Sequence, residues 1–402
     1  MTNEVLQKTA SDEQNVSSSN GLEPRLRFPS FDNKWTLTTI GNVCAFTNGK
    51  AHEQNVVEYG EYIIVNSKFI SSDGVVKKYS NKQICPLFKN DIVMVMSDVP
   101  NGKAMSKCFC IDKDNKYTLN QRICALRTKQ IPLYYMMQIN RNDYFMKFDD
   151  GVKQTNLRKD DVLACPVYST TIKEQTKIAD FLSLIDQRIE KQRRLVESLK
   201  KYKRGLLSAI FDNKLIGENW KKYKLSSILK ERSTYSEKDG SYEHVTLSRD
   251  GIIPKTERYD RDFLVSSENK KYKITKMGDI CYNPANMKFG VICLNTYGNA
   301  IFSPIYITFE IKSDFDKPFV GLYMTRNDFI NRSLKFQQGT VYERMAVSPE
   351  DLLSMDIELP NLEAQKRISN IFTILDKKIV RENNIFNELQ KMKRALLQQM
   401  FI

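Results

Sequence analysis

Glu174-Gln-Thr-Lys-Ile-Ala-Asp-Phe-Leu-Ser-Leu-Ile-Asp186 opens a stretch that runs to Phe211, and Glu363-Ala-Gln-Lys-Arg-Ile-Ser-Asn-Ile-Phe-Thr-Ile-Leu-Asp376 opens one that runs to Ile402. Shifting the numbering by 190 lays the first on the second without a gap from Gln175 to Phe211. Gln175/Gln365, Ile178/Ile368, Asp186/Asp376, Ile189/Ile379, Leu199/Leu389, Lys203/Lys393, Arg204/Arg394 and Phe211/Phe401 are identical pairs. A period of this length is too long for a solenoid repeat and reads as a duplicated half-molecule.

Both copies carry an apolar seam at heptad spacing. In the first it is Ile178, Leu182, Ile185, Ile189, Gln192, Val196, Leu199 and Leu206. In the second it is Ile368, Phe372, Leu375, Ile379, Glu382, Phe386, Leu389 and Leu396. Neither stretch contains Pro, and each helix would be roughly 55 Å long. A seam of Leu and Ile left in water forfeits about 1.5–3 kcal/mol per side chain. The two helices are therefore expected to pair with each other as an antiparallel coiled coil. Two equivalent helices packed this way have a pseudo-twofold axis near their middle, where Gln192 and Glu382 are expected to lie close together. Such a polar pair fixes register at some cost in stability.

The 402 residues suffice for two or three domains. The net charge of +14 and pI of about 9.2 point to an acidic partner, most commonly nucleic acid. No apolar run has membrane-spanning length, and no signal-peptide pattern opens the chain, so a cytoplasmic protein is expected. The eight Cys are scattered, with only His52 and His244 beside them, and do not spell a zinc site. Reduced, mostly buried thiols are expected.

The chain divides into five segments. Residues 1–24, rich in Ser, Asn, Gln and Glu, are expected to be a disordered tail. Residues 25–168 form a first α+β domain with strands near Tyr62–Val65, Ile92–Met96, Cys108–Ile111 and Arg122–Leu126, and a helix near Leu133–Asp149. Residues 169–214 hold the first long helix, 215–360 a second α+β domain, and 361–402 the second long helix. The two domains share anchors. Trp35 and Trp220, the only two Trp, open them. Lys89-Asn-Asp-Ile92 resembles Met277-Gly-Asp-Ile280, a turn feeding a strand. Gly151 and Gly339 begin polar loops, and Pro166 and Pro360 close each domain ahead of its helix. Between the anchors the domains differ greatly, as expected of one scaffold with two binding surfaces.

No catalytic constellation emerges. There is no G-x-G-x-x-G and no Walker A loop, and neither His has a triad context. Asn283-Pro284-Ala285 lacks the second Pro and the aromatic of an amino-group methyltransferase loop. Glu268-Asn-Lys270, with Asp260 or Asp262, reads as solvated surface rather than a nuclease metal site.

In its layout the chain resembles the DNA specificity subunit of type I restriction-modification enzymes. The Trp35 and Trp220 starts, the Asp91 and Asp279 turns, the Gly151 and Gly339 loops and the exits into long helices carry the likeness, over about Arg25–Ile402. The second exit departs from the family's Glu-Gln pair, since Ala364 intervenes; the change is expected to leave its role intact. The resemblance implies two target recognition domains, each reading one half of an asymmetric split DNA sequence. It implies that the helices are a spacer and a docking platform for two methyltransferase subunits, which two restriction translocase-nuclease subunits can join. It implies no catalysis and no cofactor in this chain, with S-adenosylmethionine in the methyltransferase subunits, methylation at adenine N6, and ATP and Mg2+ in the restriction subunits.

The residues expected to read DNA lie in polar loops at the shared anchors. In the first domain they are Asn48, Lys50, Asn66, Lys68, Ser97, Lys103, Asn120, Gln121, Arg122, Lys153, Gln154 and Asn156. In the second they are Arg232, Tyr235, Thr246, Ser248, Arg249, Asn283, Asn286, Lys288, Gln337, Gln338, Tyr342 and Arg344. Asn and Gln can pair bidentately with adenine and Arg with guanine, while Lys neutralises phosphate. Two other readings are a standalone protein holding two DNA sites at a fixed distance, and a metal-dependent nuclease. A neighbouring gene for an adenine methyltransferase would separate the first reading from both.

Overall fold

The computed structural model describes residues 23–98, 104–130, 132–148, 155–212, 220–236, 240–249, 251–255, 271–337 and 346–401. The chain forms two compact units, one from residues 1–193 with 384–402, the other from 194–383.

The first unit is built on a four-stranded antiparallel sheet. Its strands are β1 (Cys44–Asn48), β2 (Ile92–Val95), β3 (Cys108–Cys110) and β4 (Ile123–Thr128), in the order β1-β4-β2-β3. Strand β2 reads as an unbroken apolar run because it is covered on both faces. Ile92 and Met94 enter one core, and Val93 and Val95 enter the other. The second core lies under a smaller sheet in which Tyr62–Val65 pairs parallel with Tyr117–Leu119. The expected helix is present over Leu133–Asp143, and a 3-10 turn continues it over Phe145–Phe148.

The long helix α1 spans Ile172–Asp212 and passes from the first unit into the second. The second unit repeats the plan with β5 (Leu229–Glu231), β6 (Ile280–Tyr282), β7 (Ile292–Leu294) and β8 (Ile307–Ile311), in the order β5-β8-β6-β7, again antiparallel throughout. Strand β6 is also covered on both faces, with Ile280 and Tyr282 in one core and Cys281 in the other. Helix α2 (Asn327–Ser333) follows, and the long helix α3 (Leu362–Met400) returns to the first unit.

A two-stranded clip closes each unit. Thr36–Thr39 pairs with Pro166–Ser169, and Lys221–Lys224 pairs with Asp356–Leu359, both antiparallel. The clip sets the strand entering the domain against the strand leaving it for the long helix. At each exit the same side-chain bond recurs: Gln175 Nε2 donates to the Thr170 carbonyl at 2.7 Å and Gln365 Nε2 to the Pro360 carbonyl at 2.8 Å. The residue before Gln is where the exits part. The buried Glu174 carboxylate accepts from Arg27 Nε at 2.7 Å and from the same guanidinium's NH2 at 2.9 Å, tying down the segment ahead of Trp35. Ala364 is fully buried and carries no such group, so the expected equivalence of the exits does not extend to this strap.

Within each unit the two long helices pack antiparallel. In the first, Ile178, Leu182 and Ile185 share a core with Leu397, Met400 and Phe401, and Lys393 Nζ lies 2.6 Å from Asp186. In the second, Ile210 and Phe211 share a core with Ile368 and Phe372, and Lys203 Nζ lies 2.6 Å from Asp376. Lys203 is the counterpart of Lys393, and Asp186 of Asp376. The reciprocal pairs are what a pseudo-twofold relation of the helices requires. Every residue of the heptad seam is buried or half-buried.

Candidate nucleic-acid interface

The surfaces rest on one repeated turn. Asn90 and Gly278 take φ of 71° and 84°, left-handed values that let the chain reverse into β2 and β6. The next residue, Asp91 or Asp279, is buried and accepts a backbone N–H from its own turn, Phe88 N at 2.9 Å or Lys276 N at 2.8 Å. Each carboxylate also takes a two-pronged guanidinium. Arg127 meets Asp91 with both bonds at 2.8 Å; Arg232 meets Asp279 at 2.8 and 3.1 Å. These carboxylates raise the pKa of both Arg side chains, burial opposing.

The two arginines come from different strands. Leu126 faces Ile92 as Phe309 faces Ile280, so Arg127 on β4 corresponds to Glu310 on β8. Arg232, just past β5, corresponds to Thr47 on β1, and its NH2 also lies 3.3 Å from Glu310. The aspartate is common to both domains, and its partner has moved to a neighbouring strand. Arg232, expected among the DNA readers, is in this structure an internal brace with both prongs occupied by carboxylates.

In the first unit the backbone gathers most of the expected residues on one rim. Gly49 N donates to Ile123 O and Lys50 N to Leu119 O, both at 3.0 Å, while Asn120 N donates to Val65 O at 3.1 Å. Met96 N donates to Arg122 O at 3.0 Å, and Asn156 pairs with Ser97. Asn48, Lys50, Asn66, Ser97, Asn120, Gln121, Arg122 and Asn156 thus sit where these strand ends meet. Gly49 makes the approach possible, since a Cβ there would fall 1.9 Å from Asn120 O. Asn48, Lys50, Lys68, Gln121, Arg122 and Asn156 are exposed. Asn66 instead caps the short helix Ser67–Ser71, accepting from Phe69 N at 2.9 Å, and Gln121 Nε2 donates to Glu53 Oε1 at 2.9 Å.

His52, which had no readable context in the sequence, braces this rim from beneath. Its Nε2 lies 2.8 Å from Thr118 Oγ1 and its Nδ1 2.6 Å from Lys50 O. A carbonyl can only accept, so in the neutral ring the proton sits on Nδ1 and donates to Lys50 O, and Nε2 accepts from the Thr118 hydroxyl, which itself accepts Cys85 N–H.

In the second unit six expected residues, Thr246, Ser248, Arg249, Asn283, Asn286 and Lys288, line one cleft of about 980 Å³. Arg249 and Lys288 supply positive charge, and among the described residues no carboxylate lines it. Some of the six have internal duties. Thr246 Oγ1 lies 3.1 Å from the Tyr306 hydroxyl, Ser248 Oγ donates to Gly251 O, and Asn283 Oδ1 accepts from Ala285 N and Asn286 N. Arg249 and Lys288 are exposed and Asn286 half-buried. The cleft also takes residues the sequence reading missed: Thr325, Asn327 and Asn331 from α2 and its approach, and Phe289 beside Lys288. An Asn pair at i and i+4 on a helix was the available signal. Tyr235 and Gln337 lie outside this cleft. Lys103, Lys153, Gln154, Gln338, Tyr342 and Arg344, and the Glu268-Asn-Lys270 triplet, fall outside the described residues.

A paired-helix frame bearing two α+β units, each with a polar, cation-bearing rim, defines a two-surface recognition protein. The chain belongs to the family described as type I restriction modification DNA specificity domain, whose model matches it twice, over residues 32–200 and 217–391. Its fold is similar to the crystal structure of a type I restriction-modification system S subunit from M. genitalium, at 18% identity and a TM-score of 0.61, over 95% of this chain and 99% of that one. It is also similar to a chain from a structure titled for complex assembly and conformational transition of the type I R-M system. There the identity is 13% and the TM-score 0.52, over 91% of this chain and 97% of that one.

Proposed function

We propose that each unit reads one half of an asymmetric, two-part DNA target, with α1 and α3 setting the distance between the halves. The observation that carries this reading is the same sheet order and buried-Asp turn beneath unlike rims. A shared frame fixes where two readers stand, and unlike rims make the half-sites differ. Lys50 and Arg122 in one unit, and Arg249 and Lys288 in the other, neutralise phosphates, an affinity that falls with salt. The neighbouring Asn and Gln side chains supply discrimination at base edges.

In this reading the chain performs no chemistry. It docks two methyltransferase subunits on the long helices, and these bind S-adenosylmethionine and methylate adenine N6 in the cytoplasm. Two translocase-nuclease subunits using ATP and Mg2+ complete the restriction form. A genome-wide adenine methylation map, with and without this gene, tests the proposal. The expected result is loss of one split motif with two unlike halves and a fixed gap. Replacing residues 25–165 by those of a relative should then change one half only. An unchanged map, with the methyltransferase expressed, would overturn it.

A further inference from the structure

The cleft of the second unit has two walls. One is the 3-10 turn Pro284–Phe289, held rigid at both ends: Asn283 caps its start, and Gly290, at φ of 75°, closes it. This rigid turn presents Phe289 to solvent with 60% of its surface exposed, under Lys288 Nζ at 5.0 Å from the ring centroid. A ring held this open on a constrained turn is available to a ligand in the cleft. The other wall is α2. Its Phe329 and Ile330 go into the core, while Asn327 and Asn331, one turn apart, are exposed and line the cleft. Its described residues therefore offer amide groups that donate and accept in one plane, one apolar ring and two cations, with no carboxylate among them. Amides of this kind match the N6–H and N7 of adenine, and an apolar ring matches the thymine methyl.

Resting on the proposed DNA-reading role, we infer that this cleft is the base-reading surface of the second unit and selects an A·T pair in double-stranded DNA. Asn327 and Asn331, with Asn286 across the cleft, address the adenine edge. Phe289 packs on the thymine methyl, and Lys288 and Arg249 hold the flanking phosphates.

The test uses the full chain with its methyltransferase subunits and duplexes carrying the methylated motif mapped in the host. Single atoms are removed from the DNA: uracil for thymine deletes the methyl, and 7-deazaadenine deletes N7. Wild type should lose affinity at one thymine and one adenine of the same half-site. F289A should be indifferent to uracil there, and N327A/N331A indifferent to 7-deazaadenine. N327A/N331A should bind the motif about tenfold more weakly, the scale of a lost bidentate base contact, with little change on random duplex. K288A should weaken both duplexes alike and flatten the salt dependence. Since these side chains are exposed, melting curves should match wild type. Wild-type sensitivity to both DNA changes in the Phe289 and Asn variants would overturn the inference, as would equal losses on motif and random duplex. If the unmutated complex yields no split motif, the proposed function itself fails. If the motif is present but the variants read it normally, only this assignment fails.

Discussion

Trp35 and Phe401 meet edge to face with ring centroids 6.2 Å apart, joining the start of the first domain to the end of the last helix. Trp220 and Phe211 repeat the contact at 6.1 Å. Phe211 reaches a Trp just ahead of it in sequence, whereas Phe401 reaches one near the beginning of the chain. Leu26 N also donates to Gln399 O at 2.8 Å. The last helix thus stands to the first domain as the first helix stands to the second.

Phe401→Ala should therefore destabilise the first unit. The side chain is buried in a core with Met105, Leu133 and Leu182. Its loss should cost about 3–5 kcal/mol. Limited proteolysis should cut within residues 25–165 first, whereas Phe211→Ala should expose 220–360 first.

Arg232→Ala should destabilise the second unit by about 3 kcal/mol, because Asp279 would remain as a buried, uncompensated charge. Arg127→Ala should cost less, since the Arg127 side chain is 56% exposed and Arg232 only 13%. Lysine should not rescue Arg232, having no fork to match both carboxylate oxygens. Denaturant titration reads the order, and a methylation motif unchanged in the surviving protein would show that Arg232 supports the frame rather than reading bases.

Gly49→Ala should damage the first rim without touching the second. Relief of its clash with Asn120 O must come from backbone, since no flexible side chain can yield. Overpacking of this kind costs about 1–3 kcal/mol. The methylation map should lose stringency in one half of the motif and keep the other.

The strap from Arg27 to Glu174 should give stability a pH dependence. Burial opposes ionisation of Glu174, but the Arg27 and Thr170 hydrogen bonds outweigh it and hold the carboxyl below its ordinary value of 4.5. A depressed folded pKa contributes stability above the unfolded value, lost as pH falls through the folded one. Wild type should melt above Glu174→Gln near neutral pH, and the gap should narrow as pH falls below the ordinary Glu value and close once pH passes the lowered folded one. A gap constant from pH 7 to pH 3 would remove the strap from the account.

What the sequence disclosed was local or periodic. The heptad seam announced the helix pair because apolar spacing is set by the helix itself. Asn90-Asp91 and Gly278-Asp279 were readable as one turn because a left-handed residue before a capping Asp is short-range chemistry. The partners of those aspartates were not readable: Arg127 and Arg232 reach them across a sheet, from strands that do not correspond. Nor was the wall formed by Asn327 and Asn331, which acquires meaning only when α2 folds against the Pro284–Phe289 turn. Asn66 and Asn283 sit among the expected readers, yet their side-chain oxygens cap local turns, a use that loop position alone does not distinguish from recognition.

The closure at Trp35 has a consequence for synthesis. The ribosome delivers the first domain's strands early, yet the core they enclose still wants Leu397, Met400 and Phe401, which emerge only after the second domain. The second domain, by contrast, can begin to form around Phe211 as soon as residues 194–383 are out. Of the two domains, the one translated earlier is completed later. Until that helix emerges, the nascent protein carries an unfinished apolar face that the cell must keep from strangers.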